Sequence, residues 1–407
     1  MNQYKFDFRD VFRAPRLAFS LQRMWIQLVG MTVGYAGYLV LTYVAFLTGG
    51  FGIGNTWAKF GLLPCLFASG EVFPWYAWVI YGIGTLFLLA AFLIANTAVS
   101  RAVYMTQKGN NFYTWREAYS FAFRKLGSVL LTPVSLLILI GFMVAGGLFV
   151  GLLGRIPYVG ELGLSLFTLL WLFAGLLVFF FAIVTFVAIL LVPSIIATTD
   201  EDAFEAVFQS FSVVWNQPWR LVVYELQTVV LALFSMGVFA FAVKEAVLIM
   251  NGIFTVSMGS DFVNLANNGQ AMLQSWLLLG QVIIENLYRD FAGAVYFSHE
   301  FIAIPTSELP VTIVISSYFY ALSLLFMAGW IVSYGLSTFT VGNTVLYIII
   351  RKHKDDENLL ERKDKEEEEE EEESAEESEE QAGKESEQQA DEEKKEESSG
   401  EEKESTE

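Results

Sequence analysis

The chain has 407 residues, of which 54% are apolar and 17% charged, with a formal net charge of −19 and one cysteine. The lone Cys65 excludes an internal disulfide and any cysteine-based metal cage, and it reads as a small buried hydrophobe. The charge is local: residues 1–350 hold 15 basic and 16 acidic side chains and 351–407 hold 10 and 28, so the acidity belongs to the end of the chain.

About 20 apolar residues in a helix cross a bilayer core of roughly 30 Å. Residues 1–23 read as a cytoplasmic amphipathic helix, with Ala14, Ala18, Leu21 and Trp25 on one stripe behind Pro15, a good first-turn residue. Its basic character leads into a span that is too long for a cleavable signal peptide. A transmembrane domain over 24–350 follows. Residues 24–58, 72–100, 126–154, 162–199 and 309–350 each lack Asp, Glu, Lys and Arg, and a sixth span over 221–243 carries only Glu225. Gly30 and Gly34, and Gly147 and Gly151, permit close helix packing. That packing is expected within the bundle, with a homo-oligomer left open. Thr132-Pro133 is expected to kink or end a helical turn.

Two more interfacial helices are expected. Near 112–126, Thr114 and Glu117 have capping-box spacing, and Phe112, Trp115, Ala118, Tyr119, Ala122 and Leu126 form a stripe. Over 202–215, Phe204, Val207, Phe208, Phe211, Val214 and Trp215 recur at helical spacing, with Gln209 and Ser212 off the stripe. Asp200, Glu201, Asp202 and Glu205 then fall in the first turns, where the helix dipole favours acids. Residues 244–308 read as an extracytoplasmic segment with a loop at "NLANNGQ" and a surface helix near Leu279, Ile283, Leu287 and Phe291. A seventh span over 276–298 is the rival.

The three interfacial helices align as Ala14-x3-Ala18-Phe19, Ala118-x3-Ala122-Phe123 and Ala206-x3-Ser210-Phe211. Each leads into a span, an outer loop and a returning span. The expected fold is therefore an all-α integral membrane protein with six transmembrane helices, built from three helix-plus-hairpin repeats. With six spans, 14 basic residues fall on one side and four on the other, which puts both termini in the cytoplasm.

The segment "LLVPSIIATTDEDAFEAVFQSFSVVWNQPWRLVV" resembles one common to bacterial multi-pass membrane proteins. It also resembles the membrane region joined to some glycerophosphodiester phosphodiesterases. Pro193 near the end of a span, the Glu205-Ala206 pair, Ser210 and Trp219-Arg220-Leu221 carry the resemblance. It implies a bacterial inner membrane. The soluble catalytic domain has no counterpart in this sequence, so no activity or catalytic residue comes with it.

No catalytic, cofactor or metal site is expected. His299 and His353 stand apart, and no nucleophile elbow, P-loop or zinc pattern occurs. Enzyme activity and a nucleic-acid partner are therefore not expected. Ionisable groups within spans mark functional sites by default. Glu225 is accordingly the candidate, paired with Arg220 or with Asn96 at similar depth, although a snorkelling interfacial acid fits as well. Arg351, Lys352 and Lys354 are expected to contact lipid headgroups. Beyond them the tail lacks aromatic side chains and is expected to be disordered, either as a solubilising bristle or as a dock for a basic cytosolic protein. The pattern leans toward a non-catalytic scaffold or accessory factor, and the alternative is a transporter or lipid-handling conduit between repeats.

Overall fold

In a computed structural model of the chain, residues 4–277, 304–305 and 308–362 are described. Met1–Leu359 make one compact unit, and Leu360 begins a second of which only Leu360, Glu361 and Arg362 are described. The helices are α1 Phe8–Val11, α2 Ala14–Ala18, α3 Leu21–Thr48, α4 Ile53–Phe60, α5 Trp75–Lys108, α6 Trp115–Arg124 and α7 Leu126–Leu153. They continue with α8 Val159–Leu166, α9 Thr168–Thr199, α10 Ala203–Asn216, α11 Pro218–Met258, α12 Ser260–Trp276 and α13 Val311–Asp355. No strand occurs among the described residues. Among the described residues, six helices (α3, α5, α7, α9, α11 and α13) are long and apolar enough to cross a membrane. This is a multi-pass, all-α membrane protein.

The six spans pair as hairpins α3–α5, α7–α9 and α11–α13, and the returning helices α5, α9 and α13 also pack against one another. Each returning helix stops on a left-handed residue, at Gly109, Asp200 and Asp356. Glycine takes that conformation freely, and the short Asp side chain tolerates it. Each interfacial helix then lies against the preceding hairpin in cyclic order: α6 on α5 and α3, α10 on α9 and α7, and α2 on α13 and α11. The aligned small residues explain the fit. Ala14, Ala18, Ala118, Ala122, Ala206 and Ser210 are all completely buried, whereas Phe19 and Phe123 are exposed. Three repeats close into a ring.

Buried residues crowd the end of the bundle that holds Arg23, Arg101, Lys125 and Arg351, here the basic end. Residues 95–105, 191–199 and 340–350 are buried in unbroken runs on α5, α9 and α13. Toward the other end, Phe142, Leu148 and Phe149 of α7 and Leu169, Phe173 and Phe179 of α9 are more than half exposed. Lipid chains are as apolar as these side chains, so exposing them there costs little. At 41 and 45 residues α11 and α13 exceed what a bilayer requires, about 60 Å against a total thickness of roughly 40–45 Å. The surplus of α13 builds the buried end.

Close helix approach occurs where glycine allows it. A Cβ on Gly30 would stand 2.3 Å from Ala95 Cβ, and one on Gly34 2.7 Å from Ala91 Cβ, so this pair welds α3 to α5. Gly147 and Gly151 face open space instead. At the far end Phe46, Phe60 and Phe73 pack together. The Tyr38 and Tyr43 hydroxyls donate to Pro64 O at 2.7 Å and Gly61 O at 2.6 Å. Cys65 is only half-buried, with Sγ 3.7 Å from Tyr81 Oη.

Several expectations need correction. The expected single helix over 1–23 is not formed: among its described residues, α1 and α2 are separated at Phe12–Arg13, and Leu21–Arg23 already belong to α3. Leu21 is 76% exposed and not on a buried stripe, and Arg23 is buried inside the first turn of α3. Residues 244–258 continue α11, and "NLANNGQ" lies inside α12, where Phe262, Ala266 and Gly269 pack and override its turn-forming composition. α7 does not end at Pro133 but continues past it. The surface helix or seventh span expected near 276–298 and the acidic tail fall outside the described residues, save Trp276, which ends α12, Leu277, which caps it, and residues 351–362.

A buried polar site among the returning helices

Where the three returning helices meet, each contributes one hydroxyl. Thr344 Oγ1 donates to Ser100 Oγ at 3.0 Å, and Ser194 Oγ stands 3.4 Å from Ser100 Oγ and 3.3 Å from Thr344 Oγ1. All three side chains are buried, as the hydroxyl groups require partners away from water. One helical turn away, Asn96 Oδ1 accepts from Gln27 Nε2 at 3.2 Å and from Thr340 Oγ1 at 3.0 Å, joining α3, α5 and α13.

Arg101 lies next to the triangle. Its guanidinium carbon sits 4.3 Å from the Phe121 ring centroid, and Nη1 donates to Ala197 O at 3.1 Å. The side chain is 0% exposed. By sequence it is one of the basic residues between the second and third spans. The nearest stop signal, Gly109, is eight residues further on, so two helical turns were available to bury it.

The candidate residues Glu225, Asn96 and Arg220 are not brought together. Arg220 is exposed and its Nη1 reaches Gln217 Oε1 at 3.4 Å. Five residues turn an α-helix by about 140°, which puts Arg220 and Glu225 on different faces. Asn96 belongs to the α3–α5–α13 contact, whereas the Glu225 carboxylate faces Asn343 of α13. Neither carboxylate oxygen of Glu225 completes a hydrogen bond.

The cations expected at lipid headgroups are engaged by acids. Arg351 meets Asp355 at 3.0 Å and Glu357 at 2.9 Å, and Lys352 meets Asp356 at 2.8 Å. That Lys352 contact holds the exposed Asp356 carboxyl below its usual range. Lys354 Nζ donates to Gln209 Oε1 at 3.0 Å and lies 3.3 Å from Asp355. The acids at 200–205 also do more than line a helix start. Asp200 forms a 2.7 Å ion pair with Lys125, and Glu205 Oε1 accepts from Gln209 Nε2 at 2.5 Å. Asp202 occupies the N-cap of α10 without a side-chain cap bond.

These features define a class: a helical membrane protein of three hairpins closed on one another at one end. No family model, no curated protein and no solved structure matches the chain.

Proposed function

We propose that this protein is a non-catalytic membrane scaffold or accessory factor that presents its acidic tail to the cytoplasm. The observation that carries this reading is the closed contact of Ser100, Ser194 and Thr344, which fills the meeting point of the three hairpins with mutually bonded hydroxyls. A conduit between repeats would have to pass there. The distribution of basic residues supports cytoplasmic termini, and the resemblance over residues 190–223 supports a bacterial inner membrane. Basic cytosolic proteins are the partners the tail composition fits.

A lipid-handling role is the second reading. An apolar groove of about 270 Å³ between α11 and α13, lined by Val243, Val247, Met250, Phe326 and Trp330, favours it. Reconstitution into liposomes separates the two. The scaffold reading expects solute, ion and labelled-lipid transfer no faster than in empty vesicles. Transfer that Ser100→Leu blocks would establish a conduit through the centre.

A further inference from the structure

We propose that Glu225, Thr228 and Asn343 bind one monovalent metal cation, of the sodium or potassium class, in the seam between α11 and α13. Glu225 and Thr228 stand three residues apart and so share one face of α11. That face meets α13 at Gly342, where a Cβ would lie 2.3 Å from Thr228 Cγ2 and 3.0 Å from Thr228 Oγ1. Glycine therefore lets α13 approach Thr228 closely, one residue before Asn343.

Thr228 is 0% and Asn343 1% exposed. Thr228 Oγ1, Asn343 Oδ1 and both carboxylate oxygens of Glu225 are buried without a hydrogen-bond partner. Native structures leave few such groups unsatisfied, and a desolvated carboxylate without a counter-charge costs several kcal/mol. Every unpartnered atom in this set is oxygen, the donor that hard cations take. Oxygens sharing a cation stand farther apart than hydrogen-bonded ones. Asn343 is the polar side chain that faces the carboxylate, and its Oδ1 is left over for a further partner. One carboxylate balances one positive charge, which selects a monovalent ion.

None of its three residues belongs to the hydroxyl triangle, so the site does not depend on whether the bundle conducts. It is tested by binding, not by transfer. Full-length protein is purified in N-methylglucamine chloride, and thermal unfolding is followed as sodium or potassium chloride replaces that salt at constant ionic strength. A ligand that binds only the folded state raises Tm with its concentration. The expected result is a saturable rise with one of the two cations, retained in Arg220→Gln and lost in Glu225→Gln. Thr228→Val keeps the carboxylate and removes one ligand. It should raise the half-saturating concentration at least about tenfold, since even outer partners of metal sites command that much. Should Glu225→Gln not fold, Thr228→Val decides alone. A Tm that ignores both cations overturns the proposal and leaves Glu225 as a protonated, neutral carboxyl. A sodium or potassium response unchanged in the variants places the cation elsewhere and equally overturns it.

Discussion

Arg101 is the largest fully buried side chain among the described residues. A guanidinium stays charged, so its burial has to be balanced by Ala197 O and the faces of Phe121 and Tyr104. Hydrogen bonds to charged groups contribute about 1.5–3 kcal/mol, and a desolvated cation–π contact about 2. Arg101→Met is therefore expected to lower stability by about 2–4 kcal/mol, allowing for the partners left unpaired. Arg101→Lys should recover less than half of that loss, because ammonium cannot stack a planar fork on Phe121. Denaturant midpoints in detergent compare the three proteins, and equal stability of Lys and Arg would refute the stacking argument. Tyr119 illustrates a milder case. Burial pushes its hydroxyl up to about 12 while it donates to Ile26 O at 2.7 Å, so it holds α6 to α3 as a neutral group at ordinary pH.

At the scale of the element, glycines with the same spacing play different parts. Gly30→Val would drive a side chain into Ala95 and should cost about 1–3 kcal/mol or more through overpacking. Gly147→Val enters open space and should stay within about 0.5 kcal/mol. Thermal unfolding of both variants checks this, and comparable losses would mean that Gly147 packs against a second copy. α10 buries a polar side chain that lies off its apolar stripe. Gln209 is 6% exposed and bonded to Lys354, while Phe208 is 54% exposed. The helix sets its small and polar face against α9 and α7 and offers its aromatic face to lipid. Gln209→Leu should consequently destabilise the purified protein by about 1–2 kcal/mol through the loss of its charged partner. Phe208→Asp should chiefly impair membrane insertion, visible as reduced yield in the membrane fraction. A Gln209→Leu protein as stable as the parent would refute this assignment of faces.

At the scale of the molecule, the position of the boundary before the tail matters. Leu359 is 0% exposed, and its carbonyl accepts from Tyr104 Oη at 2.7 Å, so the membrane unit extends past Asn358. Truncation after Arg362 should leave Tm unchanged and abolish salt-sensitive capture of basic cytosolic proteins, since ions screen that attraction. Truncation after Asn358 should remove about 2–4 kcal/mol, from one buried leucine and one hydrogen bond. Scanning calorimetry of the two truncations tests the boundary, and pull-downs at low and high salt test the tail. Equal Tm values would place the end of the folded unit earlier.

The sequence by itself determined the six long apolar helices among the described residues and the small-residue repeat shared by α2, α6 and α10. Those features follow from local hydrophobicity and helical spacing, which neighbouring residues express without help from the rest of the fold. Thr114 and Glu117 likewise form their capping box as their spacing requires. Which face of a helix meets protein and which meets lipid was not legible, because both surroundings are apolar and the periodicity of Phe204, Phe208 and Trp215 is the same for either. The partner of Glu225 was hidden for a related reason. Depth along a span can be counted from sequence, but the rotation that turns Asn343 toward Glu225 and Asn96 toward Thr340 is set by how α13 packs. Only the tertiary structure decided that Ser100, Ser194 and Thr344 meet, since residues about 94 and 150 positions apart share no local signal and are joined by the closure of the three hairpins.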